Sequence, residues 1–188
     1  KSMNISKTPI REAIRELSKE GLVIHETRRR LTVVDFTEKD IREILTLRAE
    51  LESIALKAAA RNFLSEDYRE LERRISELRG YEDRKDFSGV RRIDIESIHA
   101  FLVEKSENTR LIGMWRVLAS QMMVLFQAVE LKSKNHGYST EKHTQIMNLI
   151  RSGDIETACE TLKSHILGNT ESIVREFRQN RAERGKTP

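Results

Sequence analysis

Three histidines carry the most specific chemical signal in this chain. His99 lies on a helical stripe with Ile95, Ile98 and Leu102. His143 shares a face with Ile146, Met147 and Ile150, and His165 follows Ile155, Ala158 and Leu162 on its own helix face. Each imidazole therefore faces inward from a different helix. A single inward histidine is most often a hydrogen-bonded core residue. Three converging from separate helices, with coordination positions left open, suit a divalent ion such as zinc, nickel or manganese. His25 and His136 fall in a strand and a loop and receive no role.

Arg48 is the next informative residue. It shares a stripe with Ile41, Ile44, Leu51 and Ala55, and a buried guanidinium needs an acidic partner. Glu52, one turn on, is the candidate for an internal salt bridge. Arg116 and Gln121, on the same helix as Trp115, are further candidates to line a cavity.

A second kind of chemistry sits near the start. In S-K-T-P-I-R-E-A-I-R-E-L, beginning at Ser6, the apolar residues Ile10, Ala13, Ile14 and Leu17 form one stripe. Lys7, Thr8, Arg11 and Arg15 are left on or near the other side. Such a helix can place its first residues against base edges while hydroxyls, cations and backbone N–H groups hold phosphates. Arg11 is placed for a bidentate contact to guanine. Ser6, Lys7 and Thr8 sit where phosphate oxygens would meet the helix N-terminus. Arg28, Arg29 and Arg30 form a charged turn able to enter a minor groove. A solvated amphipathic helix with a charged turn is the plainer alternative.

These side chains need elements to position them. Ser6 is a good N-cap, Pro9 is tolerated in the first turn, and Gly21 ends the helix as a C-cap. L-V-I-H-E and R-L-T-V-V-D-F, flanking Thr27–Arg30, read as two short strands. A helix followed by a two-stranded wing is the back half of a winged helix-turn-helix. Its front half would require two more helices upstream, so residues are expected to be missing from the start. From Thr37 onward no further strand signal occurs. Thr37 with Asp40 has the form of a capping box opening a helix to about residue 62. Ser65 is expected to cap a second, to about residue 79. A polar loop over 80–89 follows, then helices at about 90–106, 109–132, 139–152 and 154–183. Short connections between them predict an antiparallel bundle. The organisation is a partial winged-helix DNA-binding domain over 1–36, a helical effector-binding domain over 37–184 and a tail over 185–188.

Composition agrees. Residues 1–36 hold eight Lys/Arg and five acids, whereas the other 152 carry 26 basic and 25 acidic groups. The excess positive charge is thus concentrated in the head, as a polyanion-binding module requires. The two prolines, Pro9 and Pro188, leave the middle free for long helices. No apolar run approaches the ~20 residues of a membrane span, and the first residues lack the apolar core of a signal peptide. The lone Cys159 cannot form an internal disulfide, which fits a reducing cytoplasm.

S-K-T-P-I-R-E-A-I-R-E-L-x-x-E-G-L-V, over residues 6–23, resembles the signature of GntR-type transcription regulators. T-E-K-D-I-x-E-I-L-x-L-R-x-x-L-E at 37–52 resembles the opening of the FCD-type effector domain of that family's FadR branch. I-H-x-x-L-x-x-x-S-x-N at 98–108, E-K-H-x-x-I-x-x-L-I-x-S-G-D at 141–154 and the later His165 continue the resemblance. It implies a homodimer whose winged helices read operator DNA, with Ser6, Lys7, Thr8, Arg11 and the wing tip around Thr27–Arg30 as contacts. It also implies an all-α antiparallel bundle around a pocket that takes a small carboxylate metabolite, in many members on a divalent metal. Arg48 is then the implied clamp on the effector's carboxylate. Two departures stand out. Arg30 occupies a wing position where the family usually has glycine. The family also places an aspartate four residues before the first histidine, where this chain has Ile95. Asp94 precedes His99 by five residues, which turns it about 140° off the His99 face of an ideal α-helix. Glu96 precedes it by three and is better placed. The fourth ligand is therefore Glu96, a distorted Asp94, or absent.

No catalytic residue is expected. A metal-dependent hydrolase on the three histidines would leave the DNA-reading head without a use, and a purely structural helical dimerisation protein would make the histidines core residues.

Overall fold

The computed structural model describes residues 6–27, 30–129 and 140–184. The head consists of helix α1 (Lys7–Lys19) and an antiparallel hairpin of β1 (Val23–Thr27) and β2 (Arg30–Val33). Val23 pairs with Val33, Ile24 with Thr32 and Thr27 with Arg30, with a register irregularity between residues 25 and 27. Gly21 ends α1 with φ +70°, a conformation glycine adopts without the Cβ penalty. The apolar stripe of α1 is not buried: Ile10 and Leu17 are 44% and 40% exposed.

After the wing, every regular element among the described residues is a helix. α2 (Glu38–Ala59) opens with the expected capping box: Asp40 N–H donates to Thr37 Oγ1 (3.2 Å), and Thr37 N–H donates to Asp40 Oδ2 (2.7 Å). It is followed by a short 3₁₀ turn (Ala60–Asn62), α3 (Ser65–Asp83) and α4 (Phe87–Ile93). A π-turn (Asp94–His99) joins α4 to α5 (Ala100–Glu104) in one continuous rod. α6 (Thr109–Val129), α7 (Thr140–Ser152), α8 (Ile155–Leu167) and α9 (Thr170–Arg184) complete the chain.

Three expectations require correction. Asp67 accepts the Leu64 N–H at 2.8 Å, so Ser65 is the first helical residue of α3 rather than its cap. Within the expected polar loop, helix runs to Asp83 and restarts at Phe87, with Asp86 accepting from Gly89 N–H. The single helix expected over 154–183 is two, broken at Gly168–Asn169, where Thr170 Oγ1 donates to Leu167 O at 2.8 Å. That short hydroxyl competes for a helix carbonyl and ends the ladder.

α2 is the central helix. It packs on α5, α6, α8 and α9, and its buried face runs from Ile41 through Ile44, Leu45, Ala49, Ala55 and Leu56 to Ala59. α3 packs on α4 and α7, and α7 on α8. The architecture is an all-α bundle preceded by a recognition-type helix and a two-stranded wing. Ile98, Leu125, Ile146 and Leu162 join the same core. Leu56 has no exposed surface, so Leu56→Ala should cost about 2–5 kcal/mol of stability through a residual cavity. Urea unfolding followed by circular dichroism should show a lower midpoint with an unchanged slope.

Candidate metal centre

The three histidines meet. His99 ends the π-turn, His143 sits on α7 and His165 near the end of α8. Ring centroids are 5.4 Å apart for His99–His143 and for His99–His165, and 4.6 Å apart for His143–His165. Their burial follows from the stripes on which they lie.

Asp94 joins them, and the reason is local. In an α-helix it would point away from His99, but residues 94–99 form a π-turn. Bonding i→i+5 brings residues five apart onto one face. Asp94 is 2% exposed, whereas Glu96 is exposed to solvent and is no ligand here. One ligand atom from each of Asp94, His99, His143 and His165 falls within a cluster 4.8 Å across. His99 Nε2 is 3.4 Å from both His143 Nε2 and Asp94 Oδ2. Ligands about 2.0–2.1 Å from a tetrahedral ion are roughly 3.3 Å apart, so these edges fit. Asp94 Oδ1 lies 3.1 Å from His143 Nε2 and 3.8 Å from His165 Nε2, and it is buried without a hydrogen-bond partner. A buried carboxylate oxygen without a donor, facing imidazole nitrogens, is the arrangement a cation satisfies. The donor set therefore fits a divalent metal.

The electrostatics support the same reading. Burial pushes the Asp94 carboxyl up, but the surrounding imidazoles outweigh it and hold Asp94 well below the usual carboxylate range. Burial pushes His99 down, yet the carboxylates of Glu52 and Asp94 raise it to about 9. Burial and neighbouring His143 push His165 down to about 4. Without a metal, therefore, His99 is cationic and His165 neutral near pH 7.

Arg48 lies beside the centre and is 3% exposed. Its Nε donates to Glu52 Oε1 at 2.9 Å, so the expected internal ion pair is present. Its Nη2 is ion-paired with the same oxygen at 2.8 Å and makes no hydrogen bond. A cavity of about 20 Å³ lies next to it, lined by Arg48, Asp94, His99, His165 and Asn169 among apolar walls that include Phe126. That volume holds little more than a water molecule.

Other candidates fall elsewhere. Arg116 pairs with Glu104 at 3.1 Å on the exposed surface. Gln121 Nε2 donates to Glu20 O at 2.8 Å, so it ties α6 to the end of α1. Neither lines the cavity. Ser6, Lys7, Thr8 and Arg11 are all exposed at the start of α1. Ser6 is the N-cap, and its hydroxyl makes no capping hydrogen bond. Arg30 is exposed and pairs with Glu26 at 3.1 Å. Arg28, Arg29 and His136 lie outside the described residues. Sequence reasoning missed the convergence on Glu52, which also accepts from Trp115 Nε1 at 2.7 Å. The stripe spacing of Arg48 and Glu52 signalled only their own pair. Among the described residues, no helix is long and apolar enough to cross a membrane.

Comparison with known proteins agrees with this architecture. The FCD domain matches residues 43–168. The chain is 29% identical over 166 residues to a protein of Paenarthrobacter nicotinovorans named "Probable D-xylose utilization operon transcriptional repressor", covering 87% of this chain and 71% of that one. A GntR transcriptional regulator from Rhodococcus sp. RHA1 superposes with TM-score 0.75 at 22% identity, covering 92% of this chain and 82% of that one. E. coli McbR/YncC does so with TM-score 0.80 at 19% identity, with coverage of 92% and 82%.

Proposed function

The chain belongs to the FCD-domain family and is a GntR-type transcription regulator, and from that premise we propose that its helical domain senses a small carboxylate on a divalent metal. Asp94, His99, His143 and His165 hold the ion, which supplies a Lewis-acidic anchor for the effector's oxygens. Arg48 holds the carboxylate through the guanidinium nitrogen that makes no hydrogen bond in the protein. The observation carrying this reading is the buried, undonated Asp94 oxygen beside three converging imidazoles and Arg48. With three nitrogens and one oxygen as donors, zinc, nickel and manganese are the ions to expect. The name of the Paenarthrobacter relative makes sugar-derived acids the first effectors to try.

Regulators of this family bind operator DNA. In the present chain the reading helix is α1, with Arg11 on a guanine, Ser6, Lys7 and Thr8 on phosphates, and Arg28, Arg29 and Arg30 as further DNA contacts. Two copies would meet two half-sites of a palindrome, as paired reading helices require. Effector capture alters the relative placement of the two heads and so changes operator affinity.

The test is direct. Protein purified without metal-affinity tags should carry close to one transition-metal ion per chain by elemental analysis. Stripping it with a chelator should change the effector dependence of its gel shift on the upstream region of its own operon. Protein that neither retains nor takes up metal would make the histidines a polar core and sink the reading.

A further inference from the structure

Resting on the metal reading above, we propose that Glu52 is the positioning residue of the metal centre: it fixes the ring of His99 with Nε2 inward and holds Arg48 in the same frame. Glu52 is 1% exposed and comes from α2, the central helix, whereas the four ligands come from the π-turn, α7 and α8. Its Oε2 meets His99 Nδ1 in a short hydrogen bond. Its Oε1 accepts from Arg48 Nε at 2.9 Å and from Trp115 Nε1 at 2.7 Å.

An ionised carboxylate is an acceptor only. Nδ1 of His99 must therefore carry the proton that bonds it, which leaves the lone pair for metal on Nε2. That nitrogen is the one 3.4 Å from Asp94 Oδ2 and from His143 Nε2. The ring is thus held by an acid behind it and aimed at the site in front, the arrangement in which an outer carboxylate raises a ligand's basicity. His165 provides the contrast, since its Nδ1 has no hydrogen-bond partner. Glu52 also accounts for Arg48. By accepting from Nε and lying 2.8 Å from Nη2, it neutralises and orients the guanidinium of Arg48, which lines the cavity. Metal ligand and carboxylate clamp are consequently set by two oxygens of one side chain.

The chain's single tryptophan reports on this network. Zinc titrated into chelator-stripped full-length protein should change Trp115 emission and give a dissociation constant. Glu52→Gln should weaken zinc binding roughly 10- to 100-fold with unchanged stoichiometry. A merely structural ion pair would lower the melting temperature but leave the zinc constant within about twofold, and that result overturns the inference while the metal reading stands. Failure of the wild type to bind zinc overturns the metal reading, and this inference with it. If Glu52→Gln does not fold, nitrogen NMR of histidine-labelled, zinc-loaded wild type decides. Zinc on His99 Nε2 with a protected proton on Nδ1 supports the role. Zinc on Nδ1, or an Nδ1 proton in fast exchange with solvent, refutes it.

Discussion

Asp94→Ala should leave a folded protein that no longer retains its metal. Asp94 is the single carboxylate among the four clustered donors, and its loss leaves three neutral nitrogens to hold a divalent cation. Outer-shell partners alone are worth roughly 10- to 100-fold in metal affinity, so loss of this inner ligand should exceed about 100-fold. Folding should survive because Glu52 still neutralises a protonated His99. Calorimetric zinc titration of wild type and variant measures the difference, and affinities within threefold would show that Asp94 is not a ligand.

The same titration has a proton signature. In the metal-free centre His99 is raised to about 9 by Glu52 and Asp94 acting against burial, with His143 of α7, His165 of α8 and Arg48 of α2 grouped around the same site. Metal needs the Nε2 lone pair, so binding near pH 7 must release a proton. The heat of zinc binding should therefore differ between buffers of different ionisation enthalpy. His99 also contributes a pH-dependent part to the stability of the metal-free protein. A histidine whose folded value lies above its ordinary 6.5 contributes fully below pH 6.5, and the contribution is lost as pH rises through about 9.

Arg11→Ala should remove specific operator binding without disturbing the fold. Arg11 is exposed at the start of α1, and surface substitutions of this kind change stability by about 0.5 kcal/mol or less. A bidentate guanine contact carries about 1–3 kcal/mol. Used in both half-sites, it amounts to roughly 30- to 20,000-fold in affinity. Lys7→Ala provides the comparison: loss of a phosphate contact should weaken all sequences alike and flatten the salt dependence by about one ion per site. Gel shifts at two salt concentrations, on operator and on scrambled DNA, separate the two effects. Full operator affinity in Arg11→Ala would mean that α1 is not the DNA-reading helix.

Much of this architecture is written in short-range pattern. The stripe from Ile10 to Leu17, the glycine at 21, the β-branched residues of the wing and the Thr37–Asp40 box each depend on neighbours within a few positions. They could be read without knowing what packs where. The inward direction of His99, His143 and His165 belongs to the same class, because a helical period assigns a face whatever that face meets. The breaks were harder to read. The periodicity over 154–183 predicts one helix, and Gln121 reads as a cavity-lining residue, because neither the turn at Thr170 nor the bond of Gln121 to Glu20 has a periodic signature.

Asp94 marks the boundary between the two kinds of information. By sequence alone it is five residues from His99 and on the wrong face of an α-helix, while Glu96 looks better placed. The chain nonetheless adopts a π-turn there, burying Asp94 and exposing Glu96. A π-turn is locally rare, and here it is the one that places Asp94 against imidazoles from α7 and α8. Glu52 is similar, since its three donors come from residues 48, 99 and 115. Residue spacing thus determined which side chains face inward. Only tertiary packing decided which of them meet, because a face is a property of one helix and a coordination sphere is a property of several.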